Sequence, residues 1–312
     1  MKLFYYRSHR GMPNFGDVLN PWLWDQLLPN FFDDDDRAVF VGFGTLLNNL
    51  LPRRASKARK FNIFSTGVGY GNDIPPIDEN WTIYCLRGPH SARRLGVDPN
   101  LAVTDGAVLV RRFYQPEATK LYPFAFMPHI NHAIAADTAW QSICQHIGFK
   151  YIDPRESIEE VLNAISQTDV LLTEALHGAI VADALRAPWI PLRTNSKILQ
   201  FKWQDWCASM ELTYQPQYVL PLWSCYPRAP GIRSPIYHYL NSLFQDRLRS
   251  LPQLLDSEIQ FGAAQLNRIA QNVPPQLSRD RRLEQVTVEL EERLDRFKRD
   301  YHSHFPTSQE LL

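Results

Sequence analysis

The sequence predicts an α/β fold built from two parallel-sheet units, and three observations lead to this prediction. Early in the chain, short apolar runs alternate with helical patterns, which is typical of a parallel sheet covered by helices. The alternation stops at residues 111–123, where an Arg pair and Pro residues interrupt it, and then it starts again. A strongly charged segment with a narrow apolar stripe, residues 278–301, predicts a long helix near the carboxyl end.

These breaks divide the chain into three predicted parts. Residues 1–118 form a first α/β domain, and residues 119–275 form a second one with an aromatic and Pro-rich extension. Residues 276–312 form the C-terminal helix. Two α/β units that face each other place a ligand cleft between the carboxyl ends of their strands.

The predicted strands are short apolar runs that end in Gly, Pro or polar turn residues. In the first unit they lie at residues 2–6, 39–43, 62–65 and 82–86, and helices are predicted at 18–28 and 90–95. In the second unit they lie at residues 124–127, 150–152, 169–172 and 189–192, and a helix is predicted at 158–166.

The C-terminal segment carries an apolar stripe at three- and four-residue steps. Such a stripe either docks on its own protein or pairs with another chain, and the sequence favours docking while leaving a homo-oligomer open. The stripe consists of Leu283, Val286, Leu290, Leu294 and Phe297.

Composition excludes several classes of protein. Lys and Arg number 33 and so do Asp and Glu, so the chain lacks the basic excess of a nucleic-acid binder. The four cysteines are widely spaced without a Cys-x-x-Cys pair, which is typical of reduced packing cysteines. Arg7 and Arg10 interrupt the apolar start, and no apolar run reaches the roughly 18–20 residues that span a bilayer. We therefore expect a cytoplasmic protein.

A basic stretch at residues 53–60 has two interpretations. It is either a solvated helix face or loop, which the sequence favours, or a contact with lipid phosphates. The second interpretation would place the protein at the inner face of the membrane.

His177 is the sharpest candidate for chemistry. A buried strand is predicted to end near Thr173 and a helix to begin near Ala175, which puts His177 in the first helical turn at the edge of the sheet. Gly178 and Ala179 are small enough to let a substrate approach. A histidine there can donate and accept protons near neutral pH. The alternative is a packed histidine bonded to a carbonyl, and the position at the sheet edge favours the catalytic assignment.

Glu174 lies three residues before His177. If both residues are helical, their side chains share a face, and Glu174 would orient the imidazole and raise its basicity. Alternatively, Glu174 is a carboxylate stabilised by the dipole at the start of the helix. The sequence leaves both alternatives open.

Two further residues follow predicted strands and are candidates for anion binding. Arg87 comes directly after the strand at 82–86, where a guanidinium can clamp a carboxylate or phosphate, and a structural ion pair is the alternative. His129 follows the strand at 124–127 and is expected to donate a hydrogen bond to phosphate or to shuttle a proton, with a packing role as the alternative.

Glycine-rich turns also follow strands. Gly67-Val68-Gly69-Tyr70-Gly71 has the composition of an anion-binding loop, so we expect Gly67 and Gly69 near a bound anion. Its spacing matches neither the P-loop nor the dinucleotide-binding motif, so ATP and NAD are not expected. No residue pattern indicates a metal site, and no Gly-x-Ser-x-Gly motif indicates a hydrolase.

An ordered set of motifs resembles a known family. In chain order the motifs are Asn14-Phe15-Gly16-Asp17-Val18-Leu19-Asn20, Val41-Gly42-Phe43-Gly44-Thr45-Leu46-Leu47, Thr66-Gly67-Val68-Gly69, Leu86-Arg87-Gly88-Pro89, Val103-Thr104-Asp105-Gly106, Pro128-His129 and Glu174-Ala175-Leu176-His177-Gly178. Together they cover about residues 1–210 and resemble the polysaccharide pyruvyltransferase family. The chain is most similar to the succinoglycan-type pyruvyltransferases of exopolysaccharide clusters.

The resemblance implies a fold, a reaction and its partners. The fold would be two facing Rossmann-like domains, similar to the glycosyltransferase B architecture. The donor would be phosphoenolpyruvate, with no further cofactor, and the acceptor a terminal hexose of an exopolysaccharide or of its lipid-linked precursor. The product would be a pyruvate ketal, with phosphate released.

The resemblance also implies roles for residues. Arg87 matches the family's donor-binding arginine and His177 its catalytic histidine, and Asp17 and Asn20 of the first motif are implied to contact substrate. Many members have Arg two residues before that histidine, where this chain has Ala175.

The donor clamp expected at Ala175 must therefore come from elsewhere. His129, Arg193 and Lys197 are the candidates in the sequence.

Two other functions stay open at this stage. A glycosyltransferase that uses a nucleotide sugar would have the same two-domain cleft. A non-catalytic partner of the membrane polysaccharide-assembly machinery would suit Ala175 and the charged helix.

Overall fold

The computed structural model confirms the predicted α/β architecture with parallel sheets. Within the described residues the strands form a four-stranded, a five-stranded and a two-stranded sheet, and neighbouring strands run parallel throughout. Most of the aromatic extension at 214–255 lies outside the described residues, as do Lys197 and Cys225. The structure describes residues 1–7, 11–71, 73–116, 119–194, 198–220, 222 and 252–304.

The first sheet is built from short runs of β-branched and aromatic residues, which favour strands. The first part of the chain has six strands, of which β3 and β5 directly follow β2 and β4. They are β1 (Lys2–Phe4), β2 (Ala38–Val41), β3 (Gly44–Leu47), β4 (Lys60–Phe64), β5 (Thr66–Val68) and β6 (Trp81–Cys85). β1, β2, β4 and β6 lie side by side in that order, while β3 and β5 pair with each other. The chain turns between β2 and β3 and between β4 and β5, where Gly44 has φ +125° and Ser65 has φ +62°.

The helices of the first part begin and end at recognisable residues. They are α1 (Phe15–Leu27), α2 (Leu51–Arg54), α3 (Pro89–Leu95) and the 3-10 helices Pro99–Leu101 and Gly106–Arg112. α3 starts with Pro and ends at Gly96, whose φ is +68°, as helices commonly do. The helix expected from residue 18 begins at Phe15, because Asn14 is still extended and serves as its N-cap.

The second sheet alternates strands and helices as predicted. Its elements are β7 (Tyr122–Met127), α4 (Ile130–Ile147), β8 (Lys150–Tyr151), α5 (Ile158–Ser166), β9 (Thr168–Thr173), α6 (Leu176–Ala184), β10 (Trp189–Arg193), α7 (Gln200–Ser209) and β11 (Gln217–Tyr218). The spatial order is β11-β10-β9-β7-β8, so the chain leaves β7 toward one edge and returns to β9 on the other side. Ligands of parallel α/β sheets bind at such a reversal, outside the carboxyl ends of the strands.

One apolar core joins the two sheets. Phe15 of α1, Leu109 of the second 3-10 helix and Ile180 of α6 belong to the same buried cluster. Phe15 N also donates a hydrogen bond to Pro154 O at 2.7 Å, from the first part of the chain to the second. The domain boundaries at residues 118 and 275 stay predictions.

Two long helices follow the second sheet, α8 (Pro252–Asn272) and α9 (Asp280–His304). The five stripe residues of α9 are at most 2% exposed, and Phe297 packs against the rings of Phe40 and Tyr84 in the first part of the chain. Docking of the stripe on its own protein is therefore confirmed. Among the described helices, none is both long and apolar enough to cross a membrane.

Shortening an apolar side chain in the stripe should destabilise the protein. Leu290 is fully buried in the core that joins the sheets, so Leu290→Ala should lower the free energy of unfolding by about 2–5 kcal/mol. Val288 on the same helix is 41% exposed, and Val288→Ala should change it by no more than about 0.5 kcal/mol. Urea unfolding of both variants provides the measurement. Equal effects of the two substitutions would contradict the docking of the stripe.

Candidate active site

Polar side chains from both sheets converge at the reversal between β7 and β9. His129 follows β7, and Glu174 and His177 follow β9. Asp17 in the first turn of α1 and Asp105 after β6 approach from the first part of the chain.

His177 lies in the first turn of α6, as predicted. Its imidazole packs against the start of α1, where a Cβ added to Gly16 would lie 2.1 Å from Nδ1. Only glycine fits at this point, so the glycine of the first motif makes room for the ring. Phe43 meets the imidazole edge-on, with ring centroids 5.5 Å apart.

Asp105 is the carboxylate that faces His177. Its Oδ2 lies 3.7 Å from His177 Nε2, and both atoms are buried without a hydrogen-bond partner. The other oxygen, Oδ1, accepts a hydrogen bond from Ala107 N at 3.1 Å, which fixes the carboxylate at the start of a 3-10 helix. The two atoms are just beyond hydrogen-bond distance, so a movement of less than about 1 Å by either side chain would let them form a hydrogen bond.

The sequence prediction did not include Asp105 among the site residues. The signal was present, since Asp105 directly follows an apolar run and precedes a glycine. The sequence does not show that His177 is the partner of Asp105. The two residues belong to different parts of the chain, and they meet because α6 docks on the 3-10 helix Gly106–Arg112.

Glu174 contacts His132 instead of His177, so neither alternative for it describes the contacts found. Glu174 Oε2 lies 2.6 Å from His132 Nδ1 and accepts a hydrogen bond from His129 N at 3.2 Å. Oε1 accepts one from Thr194 N at 3.0 Å. Glu174 and His177 do not share a helix face, because Glu174 precedes the helix. Thr173 ends β9, and Ala175 is the N-cap of α6.

The contacts of Glu174 hold three chain segments together at the reversal. Burial raises the pKa of Glu174, but the hydrogen bonds from His132, Thr194 and His129 outweigh it and hold the pKa below its ordinary value. The side chain is fully buried. A direct catalytic role for Glu174 stays a prediction.

His129 is a neutral hydrogen-bond donor in this environment. Burial and, after it, the charge of Lys202 lower the pKa of His129 to about 4. Its Nδ1 accepts a hydrogen bond from Asn131 N at 3.3 Å, so the ring proton belongs on Nε2. His129 can therefore donate to a bound phosphate without carrying a charge. His132, with its ring 6.2 Å away, is a site histidine that sequence reasoning missed.

Arg87 is buried in an ion pair. Its Nε donates to Asp205 Oδ2 at 3.0 Å, and both side chains are fully inaccessible. Its Nη1 donates to Gly44 O at 3.0 Å and Thr45 Oγ1 at 2.7 Å, and Nη2 donates to Val68 O at 3.3 Å. This contact is the structural ion pair that the sequence left as an alternative. Donor binding by Arg87 stays a prediction.

The glycines predicted to bind an anion are contact points for other parts of the protein. A Cβ at Gly67 would lie 2.2 Å from the Arg87 guanidinium, and one at Gly69 would lie 2.7 Å from Leu199 Cδ2. A Cβ at Gly88 would lie 2.0 Å from Asp205 O. The glycines thus let the segment around α7 approach the first sheet closely.

Asp17 and Asn20, the two residues of the first motif that are implied to contact substrate, lie in different surroundings. Asp17 is half-buried next to His177, and burial raises its pKa although Asn14 donates a hydrogen bond to it. Asn20 is 2% exposed, donates to Phe43 O at 3.3 Å and accepts from Trp24 Nε1 at 3.2 Å. Asn20 therefore ties α1 to the first sheet, and its contact with substrate stays a prediction.

Two comparisons with known proteins bear on the family of this chain. The family model for polysaccharide pyruvyl transferase matches residues 13–196, which is more than half of the chain. The chain belongs to the polysaccharide pyruvyl transferase family. It is also 40% identical over 223 residues to the succinoglycan biosynthesis protein ExoV of Rhizobium meliloti (strain 1021), covering 70% of this chain and 68% of that protein.

The range of this pyruvyltransferase that the family model matches, residues 13–196, contains Asp17, Asp105, His129 and His177. It ends before α7, the helix that carries Asp205. Within the described residues, no three His, Cys, Asp or Glu side chains form a group that could hold a metal ion.

Removing the charge of Asp205 should destabilise the pyruvyltransferase strongly. Asp205→Asn leaves the Arg87 guanidinium buried without its counter-charge, which should cost about 3–5 kcal/mol of unfolding free energy. Glu284 is 50% exposed and pairs with Arg111, so Glu284→Gln should cost less than about 1 kcal/mol. Denaturant unfolding measures both. A loss at Asp205 no larger than that at Glu284 would contradict the role of the buried pair.

The lowered pKa of His129 should make stability depend on pH. As the pH falls from about 7 to about 5, the unfolded chain protonates this histidine and the folded chain does not, so unfolding becomes easier. His129→Asn removes the titration but retains an N-cap acceptor for α4. The wild type should lose about 1–2 kcal/mol more unfolding free energy over this interval than the variant. Parallel pH dependences in urea titrations would show that His129 is not held neutral.

Proposed function

We propose that this pyruvyltransferase transfers the enolpyruvyl unit of phosphoenolpyruvate to a terminal hexose of an exopolysaccharide or of its lipid-linked precursor. The product is a pyruvate ketal on two sugar hydroxyls, and phosphate is released. The observation that carries the proposal is the pair His177 Nε2 and Asp105 Oδ2, two buried atoms without partners in a chain of this family.

The chemistry begins with proton transfer to carbon. His177, as imidazolium, protonates the methylene carbon of phosphoenolpyruvate, which leaves positive charge at C2. Asp105 stabilises the imidazolium and fixes the plane of the ring, since its carboxylate faces Nε2.

Two sugar hydroxyls then complete the ketal. The first attacks C2, the bond from C2 to the phosphate oxygen breaks, and the second hydroxyl closes the ring. Of the two hydroxyl protons, one returns to His177 to replace the proton now in the methyl group, and the other leaves with phosphate. His129 donates its Nε2 proton in a hydrogen bond to the phosphate, where a neutral donor stabilises the departing charge.

The proposal extends to architecture and location. We propose two facing Rossmann-like domains of the glycosyltransferase B kind, with the donor bound at the reversal of strand order in the second sheet; the parallel sheets support this. The protein acts in the cytoplasm, where phosphoenolpyruvate is made, and needs no cofactor beyond its donor. The exposed basic residues Arg53, Arg54 and Lys57 would favour contact with anionic headgroups at the inner face of the membrane.

Family membership favours pyruvyl transfer over both alternatives from the sequence. A nucleotide-sugar glycosyltransferase would turn over UDP- or GDP-sugars and ignore phosphoenolpyruvate. A non-catalytic assembly partner would release no phosphate with any acceptor. Neither alternative has a structural feature in its favour beyond those already present in the sequence.

Phosphate release from phosphoenolpyruvate, measured across hexosides and lipid-linked oligosaccharides, tests the proposal. Release should depend on the acceptor, and mass spectrometry should find a pyruvate ketal on the product. His177→Gln should lower kcat by about 10²- to 10⁴-fold, because it removes the proton donor. Asp105→Asn should also lower kcat while leaving the KM for phosphoenolpyruvate nearly unchanged.

His146→Gln is the matched control. His146 is an exposed histidine on α4, so this variant should keep wild-type turnover. Turnover of UDP-sugars without phosphoenolpyruvate would reject the proposed donor. Full activity of His177→Gln would reject the assignment of His177 while leaving the reaction intact.

A further inference from the structure

The proposed donor brings more negative charge than the catalytic groups can compensate. Phosphoenolpyruvate carries a carboxylate and a phosphate, while Asp17, Asp105 and Glu174 are themselves carboxylates. His129 is neutral, as its lowered pKa indicates. Arg87 has its Nε on Asp205 and both terminal nitrogens on oxygen atoms of the protein. The proposed imidazolium of His177 already faces Asp105, so we expect a further cation of the described residues near the donor.

α7 is held against the first sheet at several points. Asp205 of α7 receives the Arg87 ion pair and also accepts hydrogen bonds from Ser91 N at 2.9 Å and Ser91 Oγ at 2.6 Å. Its backbone oxygen lies over Gly88. Leu199, the N-cap residue of α7, lies over Gly69. These contacts fix the start of α7 over the carboxyl edge of the first sheet.

Lys202 lies one turn before Asp205, on the same face of α7. Its ammonium lies 5.5 Å from the centre of the Tyr70 ring, directly beyond Gly69. The charge of Lys202 opposes the burial that raises the pKa of Asp17, and it adds to the burial that lowers the pKa of His129. The ammonium therefore acts electrostatically on one group from each part of the chain.

We propose that Lys202 is a donor-binding cation of the active site and that Asp205 positions it. This inference rests on the proposed function, since the anion is phosphoenolpyruvate. An ammonium on a flexible stem contacts the phosphate or the carboxylate as a point charge, and the Tyr70 ring holds it in place until the donor arrives. Lys202 and the Nε2 proton of His129 would then share the donor, one as a charge and the other as a neutral hydrogen bond.

Three variants of the full chain test the inference through steady-state kinetics. Lys202→Met keeps the apolar stem and removes the charge, so the KM for phosphoenolpyruvate should rise about 10- to 100-fold, the loss of one charge-assisted contact. The KM for the acceptor should stay within about twofold, because the acceptor carries no comparable charge at this point. Lys202→Arg should recover part of the loss. Lys298→Met, at a lysine of α9 whose side chain is 38% exposed, should behave like the wild type.

Inorganic phosphate provides a second readout that does not need turnover of the variant. Phosphate should compete with phosphoenolpyruvate in the wild type, and its inhibition constant should rise about 10-fold or more in Lys202→Met. Asp205→Asn, if it folds, should raise the KM for phosphoenolpyruvate more than the KM for the acceptor. A merely structural role of Asp205 would lower the amount of active enzyme and leave both KM values unchanged.

The outcomes separate this inference from the proposed function. A wild type that transfers pyruvate, together with a Lys202→Met variant whose KM for phosphoenolpyruvate and phosphate inhibition are unchanged, overturns the role of Lys202 alone. A wild type that neither binds nor consumes phosphoenolpyruvate overturns both proposals. A selective rise in the donor KM, partly reversed by Lys202→Arg, supports Lys202 as the donor cation.

Discussion

The buried ion pair between Arg87 and Asp205 connects the carboxyl edge of the first sheet with α7 of the second part of the chain. Two charges without access to water are tolerated only if both are fully compensated, and here Ser91, Thr45 and backbone oxygens complete their hydrogen bonds. The pair therefore fixes one relative position of the two segments. The contacts between α7 and the first sheet depend on that position.

The second constraint is the reversal of strand order between β7 and β9. At this reversal the residues that follow β7 and β9 lie next to each other. Glu174 links these segments, because it accepts hydrogen bonds from His129 and Thr194. His177 can then face Asp105 across the junction of the sheets. Glu174 and His177 thus have different partners, although they lie three residues apart in the sequence.

Several predictions from local patterns agree with the structure because they depend on local physics. Strand and helix alternation follows from apolar periodicity, and the position of His177 follows from the end of an apolar run before small residues. The stripe of α9 had to be buried somewhere, and it lies on its own chain. Local patterns did not identify partners that are distant in the sequence. Glu174 contacts His132, and Gly67 lies against the guanidinium of Arg87.

The parallel α/β architecture and the long C-terminal helix can be predicted from the amino-acid sequence, which also carries the motifs that resemble the family. Those features depend on residue type and on the spacing of apolar residues, and both have their effect over a few neighbouring residues. Which side chains meet is set by the tertiary structure. Arg87 pairs with Asp205 across 118 positions, and His177 of the second part of the chain faces Asp105 of the first part. Pairing of this kind follows from how helices pack on sheets, and that packing depends on the whole core instead of on any one motif.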